Sequence, residues 1–401
     1  MFIVLGLPRP DQGIYRSVCH DRRPLTGTGW GLFIILRPPG FAGRYCQTLK
    51  KSIILIPKFS NMSHGRFDNP VTATMTGILD LFRKQKLSER LTDGDRIDGK
   101  TCIVTGANSG LGFAISVELA RRGGNVIMAC RSQIPEAGEK VKKASGSGNV
   151  RMLGLDLADL ASVHAFCAAL EKEKVRCDLL ILNAGVATPK ARKTGSGLDE
   201  IFQVNYLANF MLLHLVLQNG TLPSITCSGN RRLDDPVSRV VFISSDSHQG
   251  SSAIDYDEFG KFFEYGIKKG MNNYSYFKLV LNTMAVEFSR RINKTATDVS
   301  MNVICPGPVN TNIIRSAPRL VRIILRGIFS ITFQSPEKAA KAVIYMAISP
   351  DFEGKTGEYL HMFNPKKMDP KVYDAGEGKK LWEHSAEVWK RIDPKAALCR
   401  I

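Results

Sequence analysis

Residues 102–112 of the chain read CIVTGANSGLG, an apolar run followed by a turn that holds three glycines. Residues 113–120, FAISVELA, continue it with the composition of a helix. A buried strand, a glycine-rich turn and a helix start together present backbone N–H groups to a pyrophosphate. Glycine suits the turn because a side chain would clash there or hold the phosphate off the backbone. The stretch predicts a dinucleotide site, and a turn that binds no ligand is the alternative.

Strand patterns and helix patterns alternate along the rest of the chain. After the first helix, strands are predicted at 125–130, 150–155, 178–182, 239–243 and 299–304. Helices are predicted at 136–144, 160–174, 198–218, 273–291 and 336–348. Strands that alternate with helices form a parallel sheet covered on both faces. The predicted fold class is therefore α/β, a single doubly wound parallel sheet (Rossmann fold) with helices on both faces.

Four regions are predicted along the chain. Residues 1–61 are basic, rich in proline and without useful periodicity, which is typical of a disordered extension. Two alternatives exist for residues 1–61: a mitochondrial presequence, and an extension of the gene model ahead of the true start at Met62. Residues 62–97 form a helical lead-in with a helix at 74–91, 98–365 the Rossmann-fold domain, and 366–401 a tail with a docking helix.

Composition excludes several classes of protein. Hydrophobic residues make up 44% and charged residues 23%, as in soluble globular domains. The nine cysteines show no C-x-x-C pair and no histidine at metal spacing, so a disulfide scaffold and a metal site are both disfavoured and a reducing compartment is favoured. The net charge of +18 is spread along the chain without a basic block interleaved with aromatic residues, so no nucleic-acid partner is expected.

Arg131 ends the second predicted strand, where the adenosine ribose of a bound dinucleotide lies. An acidic residue there would accept hydrogen bonds from a free 2′-hydroxyl, whereas a guanidinium suits a 2′-phosphate. The cofactor expected from Arg131 is therefore NADP(H). An arginine that only faces solvent is the alternative.

Tyr274 and Lys278 lie four residues apart on a predicted helix and so share one of its faces. A phenol titrates near pH 10 in water, and a neighbouring ammonium lowers its pKa by favouring the phenolate. Ser244 and Ser245 follow a strand at its carboxyl end, where open α/β sheets bind their ligands. A tyrosine and a lysine at this spacing also occur by chance in many helices.

Seven short motifs follow one another between residue 98 and residue 365: TGxxxGxG at 105–112, Asp156-Leu157, Asn183-Ala184-Gly185, Asn205, Ser245, Tyr274 with Lys278, and Pro306-Gly307 with Thr311. Their identity and order resemble those of the short-chain dehydrogenase/reductase family. Each motif is weak alone, and seven in sequence are strong. Within the family, ACR at 129–131, FQVN at 202–205 and KLWE at 380–383 resemble the NADP-dependent retinol dehydrogenase group.

The resemblance implies four catalytic residues. Tyr274 would be the general acid in carbonyl reduction or the base in alcohol oxidation, and Ser245 would hydrogen-bond the substrate oxygen. Lys278 would hold the nicotinamide ribose and lower the tyrosine pKa, and Asn205 would anchor a proton-relay water. The cofactor supplies the hydride.

The resemblance also implies which residues bind NADP(H). Asp156 would contact adenine, and Thr311 the nicotinamide carboxamide. The full set is Gly106, Ala107, Asn108, Ser109, Gly110, Leu111, Gly112, Arg131, Asp156, Leu157, Asn183, Ala184, Gly185, Lys278, Pro306 and Thr311.

Three features depart from the family pattern or compete with it. Phe277 stands where the family usually has serine or alanine, and a ring there must find room. Residues 219–235 are predicted to be a surface-loop insertion. His248 follows Ser245 closely enough to invite a hydrolase triad with Asp246, but neither a G-x-S-x-G elbow nor the usual triad order supports one.

The predicted function is an NADP(H)-dependent oxidoreductase acting on a lipophilic alcohol, aldehyde or ketone, such as a retinoid, a steroid or a fatty aldehyde. Residues 315–331 are apolar and arginine-rich and follow the sixth strand, where this family covers its substrate. Their composition suits peripheral contact with an anionic membrane, and a lid packed on its own domain is the alternative. A homodimer is a further option. The expected location is cytoplasmic, with attachment to the endoplasmic reticulum as an option and mitochondria ranked lower. The rival function is a catalytically weak NADP(H)-binding scaffold for protein association.

Overall fold

The computed structural model describes residues 2–3, 34–35, 91–92, 94–188, 190–309 and 334–401. The chain divides into two units, Met1–Asn61 and Met62–Ile401. In the first unit, Phe2–Ile3 and Ile34–Ile35 form a short antiparallel pair, although the sequence predicted disorder there. The rest of that predicted extension, and the helix predicted at 74–91 up to residue 90, lie outside the described residues.

One eight-stranded sheet organises the second unit. Its strands are β1 (Thr101–Thr105), β2 (Asn125–Cys130), β3 (Val150–Gly154), β4 (Leu179–Leu182), β5 (Ser238–Ile243), β6 (Val299–Cys305), β7 (Tyr359–His361) and β8 (Asn364–Pro365). Their order in space is β8-β7-β6-β5-β4-β1-β2-β3. Strands β1 to β7 are parallel, and only β8 pairs antiparallel, at the edge. The doubly wound parallel sheet is confirmed, with two short strands that the sequence did not predict.

In the described part of this unit, seven α-helices connect or follow the strands. They are α1 (Gly110–Arg121), α2 (Glu136–Ser145), α3 (Leu160–Lys172), α4 (Glu200–Gln218), α5 (Ile267–Ile292), α6 (Pro336–Ile348) and α7 (Ala375–Ile392). Helix α4 contains a π-helical turn at Gln203–Leu207. Helix α5 begins six residues before the predicted start at residue 273.

Two apolar layers hold the helices on the sheet. One face of the sheet packs against α1, α2 and α6, as at Ile115, Val141 and Val343. On the other face α3, α4 and α5 form the apolar layer, and α7 packs on α5 with the fully buried Trp389 in the same core. Because the helices cover the two faces of the sheet, the carboxyl ends of the parallel strands stay free to carry a site.

Helix α4 is the most buried helix of this arrangement. Among the described residues it is the one helix long and apolar enough to cross a membrane, but 94% of its most apolar window is buried inside the domain. Its buried residues include Phe210 and Leu213, which belong to the core. Packing in the core therefore accounts for its composition.

The end of the chain is fixed to the domain by a disulfide bond between Cys227 and Cys399. Their Cα atoms lie 6.0 Å apart although 172 residues separate them in sequence. The Cys399 amide also donates a 2.9 Å hydrogen bond to Nδ1 of the buried His214 in α4. This pair departs from the expectation of free thiols and removes one argument for a reducing compartment. Spacing alone did not predict it, because docking of the tail brings the two cysteines together.

Candidate active site

The glycine-rich turn after β1 is clamped by the end of β4. The Thr105 hydroxyl accepts hydrogen bonds from the backbone amides of Asn183 at 3.0 Å and Ala184 at 2.9 Å. The Asn183 side-chain amide donates in return to the Thr105 carbonyl oxygen at 2.9 Å. These hydrogen bonds join the ends of β1 and β4, and through them Thr105 and Asn183 hold the glycine-rich turn in position.

The spacing of the glycines follows from close contacts. Gly106 has a φ of +64°, and a Cβ there would come within 2.9 Å of the Ala184 Cα. A Cβ at Gly112 would lie 2.5 Å from both the Asn183 Nδ2 and the Gly106 carbonyl oxygen. Side chains are thus excluded at both positions, which lets the first turn of α1 approach the strand ends closely.

The first turn of α1 is equipped to bind an anion. Ser109 is the N-cap residue, but its side chain makes no capping hydrogen bond, and the turn holds no acidic residue. The first amides of a helix lack carbonyl partners within the helix, and they carry the positive end of its dipole. Arg131 is exposed beside this turn and has no hydrogen bond or ion pair within the described part of the chain. Free amides and a free guanidinium fit the phosphates of a dinucleotide.

A cleft of about 740 Å³ runs along the carboxyl ends of the strands and collects most of the predicted residues. It is lined by Gly106, Asn108, Ser109, Gly110, Leu111, Gly112, Arg131, Asp156, Leu157, Asn183, Ala184, Gly185, Ser245, Tyr274, Lys278 and Pro306. Ala107 does not line it, because it is buried in the apolar core with residues of α1, α2 and α6. Thr311 lies outside the described residues.

Lys278 ties the tyrosine helix to the strand that leads into Ser245. Its ammonium is buried, donates a 2.8 Å hydrogen bond to the Ile243 carbonyl oxygen, and lies 5.6 Å from the centre of the Tyr274 ring. Tyr274 and Lys278 therefore occupy one face of α5, as their spacing predicted. Ser245 is the second residue after β5 and lines the same cleft.

Burial dominates the protonation of this pair. It lowers the pKa of Lys278 from 10.5 to about 8. It raises the pKa of the Tyr274 phenol above its ordinary value, with a smaller contribution from the Cys305 thiol. The net direction for the Tyr274 pKa is therefore upward in the protein alone, because desolvation disfavours the phenolate. The expectation that Lys278 lowers this pKa stays a prediction.

Asn205 lies on the π-helical turn of α4, behind the cleft wall. Its Oδ1 accepts from the Val186 amide at 2.7 Å, and its Nδ2 donates to the Val186 carbonyl oxygen at 2.8 Å. A Cβ placed on Gly185 would be 3.3 Å from the Asn205 Oδ1 and 3.9 Å from the Lys278 Nζ. Asn205 does not line the cleft itself, but it holds the segment after β4 beside Lys278.

Two residues singled out in the sequence lie away from the cleft. Phe277 is buried and packs against Phe202, with ring centres 5.6 Å apart, so it fills the core between α5 and α4. His248 is fully buried behind Ser245 and does not line the cleft either. Neither side chain blocks the space beside Tyr274.

Sequence reasoning missed several residues that line the cleft or support it. Thr188, Arg192 and Glu200 line it, and Arg192 and Glu200 form an ion pair at 3.5 Å. They follow the Asn-Ala-Gly motif at irregular spacing, so no periodic pattern pointed to them. Asn209 was also missed, although its side-chain amide donates to the carbonyl oxygens of Val204 and Asn205 in the π-helical turn.

Comparison with known proteins agrees with this geometry. A family model described as short chain dehydrogenase matches residues 100–252. Retinol dehydrogenase 14 of Homo sapiens is 33% identical over 338 residues, which cover 79% of this chain and 95% of that protein. Retinol dehydrogenase 13 of Homo sapiens is 32% identical over 299 residues, covering 73% and 85% respectively.

A solved structure is also similar. It is that of an uncharacterised protein from Mycobacterium Paratuberculosis, with a TM-score of 0.56 and 26% sequence identity, covering 75% of this chain and 97% of that one. The fold, the order of the motifs and the relatives agree. The chain belongs to the short-chain dehydrogenase/reductase family and is a retinol dehydrogenase-like oxidoreductase within it.

Proposed function

We propose that the protein is an NADP(H)-dependent oxidoreductase that interconverts a lipophilic alcohol and its aldehyde or ketone, with Tyr274 as the general acid or base. The observation that carries the proposal is that Tyr274, Ser245 and Lys278 line the same cleft as the glycine-rich turn. A proton donor and a phosphate-binding turn in one cleft suit hydride transfer coupled to proton transfer.

Each residue has a chemical task in this proposal. The nicotinamide supplies or accepts the hydride when it is bound. Ser245 donates a hydrogen bond to the substrate oxygen, and Tyr274 gives that oxygen a proton during reduction or takes one during oxidation. The Lys278 ammonium holds the cofactor ribose and favours the phenolate when the proton leaves.

Arg131 supports NADP(H) rather than NAD(H). It lines the cleft at the end of β2, is exposed, and is free of protein partners among the described residues. A free guanidinium can pair with the two negative oxygens of a 2′-phosphate. Asp156 lies further along the same cleft, and its Oδ1 accepts a 2.9 Å hydrogen bond from the Ala158 amide, which suits contact with the adenine end.

The proposed substrate is apolar for two reasons. The relatives named above are retinol dehydrogenases. The cleft wall includes the apolar Val186, Ala187 and Val309, which offer no charge to a substrate. Contact of 315–331 with a membrane, the cytoplasmic or membrane-bound location and a homodimer stay predictions, and 315–331 lies outside the described residues.

The test is an assay of purified protein with NADPH against retinal, a steroid ketone and a medium-chain aldehyde. We expect Tyr274→Phe to lower kcat by about 10²–10⁴-fold while NADPH still binds, because only the proton donor is lost. The matched control is Tyr276→Phe on the same helix, whose phenol accepts from the Asp255 amide at 3.0 Å outside the cleft. NADPH binding without turnover of any carbonyl would instead favour the scaffold.

Cofactor choice has its own test. Arg131→Ala should weaken NADPH binding about 10–100-fold and NADH binding little, because a charge-assisted hydrogen bond to the 2′-phosphate is lost. The control is Arg391→Ala, an exposed arginine of α7 that does not line the cleft. Equal losses for both cofactors in Arg131→Ala would reject the assignment.

A further inference from the structure

Ser245 begins a short turn whose next three residues all engage in hydrogen bonds behind the cleft. Ser245 caps the 3₁₀ helix Asp246–His248, and this turn, 245–248, is called the serine turn below. Asp246, Ser247 and His248 are buried, and none of them lines the cleft. Buried polar groups are costly unless they are hydrogen-bonded, so the partners of these three residues are informative.

Ser247 acts on the Ser245 hydroxyl itself. Its backbone amide lies 3.3 Å and its hydroxyl 3.0 Å from the Ser245 Oγ, and both donate to that atom. A serine hydroxyl has one proton to donate and two lone pairs to accept with. Because both acceptor sites are used within the turn, the Ser245 proton is left to donate toward the cleft.

His248 holds the backbone of Ser245. Its Nδ1 lies 2.7 Å from the Ser245 carbonyl oxygen, and its Nε2 accepts from the Asp369 amide at 3.2 Å. Those two partners require the tautomer with its proton on Nδ1, which donates to Ser245. Burial also lowers the pKa of His248, in agreement with a neutral ring.

Asp246 ties the serine turn to the strand pair at the sheet edge. Its carboxylate lies 2.6 Å from the Lys366 ammonium and accepts from the Tyr359 hydroxyl at 3.1 Å. Hydrogen bonds from Gln249 to the Lys367 carbonyl oxygen and from the Gly250 amide to the Asp369 carboxylate continue the contact. The segment 359–369 is thus the support on which the serine turn rests.

We propose that Ser247 and His248 are positioning residues that direct the Ser245 hydroxyl toward the substrate oxygen, with segment 359–369 as their support. The inference rests on the proposed function. Neither residue touches the cleft, so both act through Ser245. Loss of the Ser247 contact would let the Ser245 hydroxyl rotate, and loss of the His248 contact would let the serine turn shift. Small displacements of a catalytic group lower the reaction rate strongly.

The test uses pairs of variants that separate the contacts. Ser247→Ala removes one donor to Ser245, and Ser251→Ala is its control, because Ser251 is buried nearby and its hydroxyl has no hydrogen-bond partner in the described structure. His248→Asn keeps a donor near the Nδ1 position, whereas His248→Gln keeps only the outer contact with Asp369. We expect kcat to fall about tenfold in Ser247→Ala and His248→Gln, and clearly less in Ser251→Ala and His248→Asn.

A second measurement, kcat in a Ser245→Ala background, separates positioning of Ser245 from a purely structural role. In a Ser245→Ala background, the same substitutions should leave the residual kcat unchanged within about twofold, because the group they orient is gone. NADPH affinity, measured by fluorescence, should stay unchanged throughout. Where a His248 variant does not fold, Tyr359→Phe removes one support of Asp246 with little change of shape and should show the same dependence on Ser245.

Two outcomes would overturn the inference, and they can be told apart. If the wild type reduces none of the carbonyls, the proposed function fails and the inference fails with it. If the wild type turns over while Ser247→Ala and His248→Gln match it, or lose activity equally with and without Ser245, only the positioning role is rejected.

Discussion

The Lys278 ammonium donates a 2.8 Å hydrogen bond to the carbonyl oxygen of Ile243, the last residue of β5. This bond joins helix α5, which carries Tyr274, to the strand that continues into Ser245. The lysine is buried where it makes this contact. The hydrogen bond holds the ammonium in place, and burial lowers its pKa to about 8, within the range in which enzymes are assayed.

The first prediction concerns pH. Because burial lowers the pKa of Lys278 from 10.5 to about 8, the ammonium loses its charge above about pH 8. We expect kcat/KM for NADPH-dependent reduction to fall above that pH, because this parameter reports the free enzyme. Lys278→Arg stays charged and should move the descending limb upward if it folds. Lys379→Arg, an exposed change on α7, should not.

Titration of Lys278 should change the free energy of unfolding in the opposite direction from kcat/KM. Between pH 8 and 10.5 the unfolded chain binds more protons at Lys278 than the folded one. The free energy of unfolding contributed by this group should therefore rise with pH across that window. A kcat/KM profile in Lys278→Arg identical to that of the wild type would assign the limb to another group.

The second prediction concerns the glycine-rich turn. Gly112→Ala places a Cβ 2.5 Å from the Asn183 Nδ2 and from the Gly106 carbonyl oxygen, so backbone must move. We expect a lower melting temperature and NADPH affinity reduced at least about tenfold, because the α1 amides shift away from the strand ends. Gly148→Ala is the control, since nothing lies within 4 Å of its Cβ position. Unchanged NADPH binding in Gly112→Ala would refute the close-approach argument.

The third prediction concerns Asp298, which organises the insertion at 219–235. Its carboxylate accepts from the Ile225 and Thr226 amides at 2.8 Å each and from the Ser224 hydroxyl at 2.7 Å. Burial alone would raise the pKa of Asp298, but these hydrogen bonds outweigh it and lower the pKa. The insertion is thus anchored to the domain rather than a free surface loop.

A carboxylate with a lowered pKa stabilises the fold above its unfolded pKa of about 3.9. That stabilisation should be lost as pH falls through the lower, folded pKa. Asp298→Asn should reduce the free energy of unfolding by about 1.5–3 kcal/mol at pH 7, as for hydrogen bonds to charged groups. Urea titrations from pH 7 to pH 2 measure both effects. The exposed Asp257→Asn should change neither, and an equal loss in both variants would contradict the anchoring role.

The fourth prediction concerns the Cys227–Cys399 bond. Adding a reductant to the oxidised wild type should lower its melting temperature. A cross-link across a long loop restricts the unfolded chain and typically raises the free energy of unfolding by about 2–4 kcal/mol. Cys399→Ser should melt at the same temperature with and without reductant. Free-thiol labelling of Cys227 in the oxidised wild type would show that the bond does not form.

The sequence was sufficient for those parts of the fold that depend on local periodicity and on glycine. The strand, turn and helix at 101–121 follow directly from an apolar run and steric limits at Gly106 and Gly112. Helix α6 matches its predicted bounds because Ser335 caps it and Pro336 starts it, two signals that are both local. The spacing of Tyr274 and Lys278 predicted that they share a helix face, whereas their grouping with Ser245 in one site was implied by the resemblance to the family.

The remaining features depend on contacts between distant segments. Strands β7 and β8 have three and two residues, too short for an alternating pattern to be recognised. The Tyr274 pKa depends on burial that spacing cannot report. No sequence pattern indicated the supporting role of His248, because its partner Asp369 lies 121 residues away.

The π-helical turn at Gln203–Leu207 places Asn205 against Val186 and lies within the most buried helix of the domain. A π-helical turn accommodates one residue more than an α-helical turn, so it rotates everything after it by roughly 100° relative to a regular helix. Removing that residue would point Asn205 away from Val186 and, at the same time, swing a new set of side chains from 208–218 toward the sheet. A deletion that made this helix regular would therefore disturb two things at once, the core packing of residues 208–218 and the contact of Asn205 with Val186.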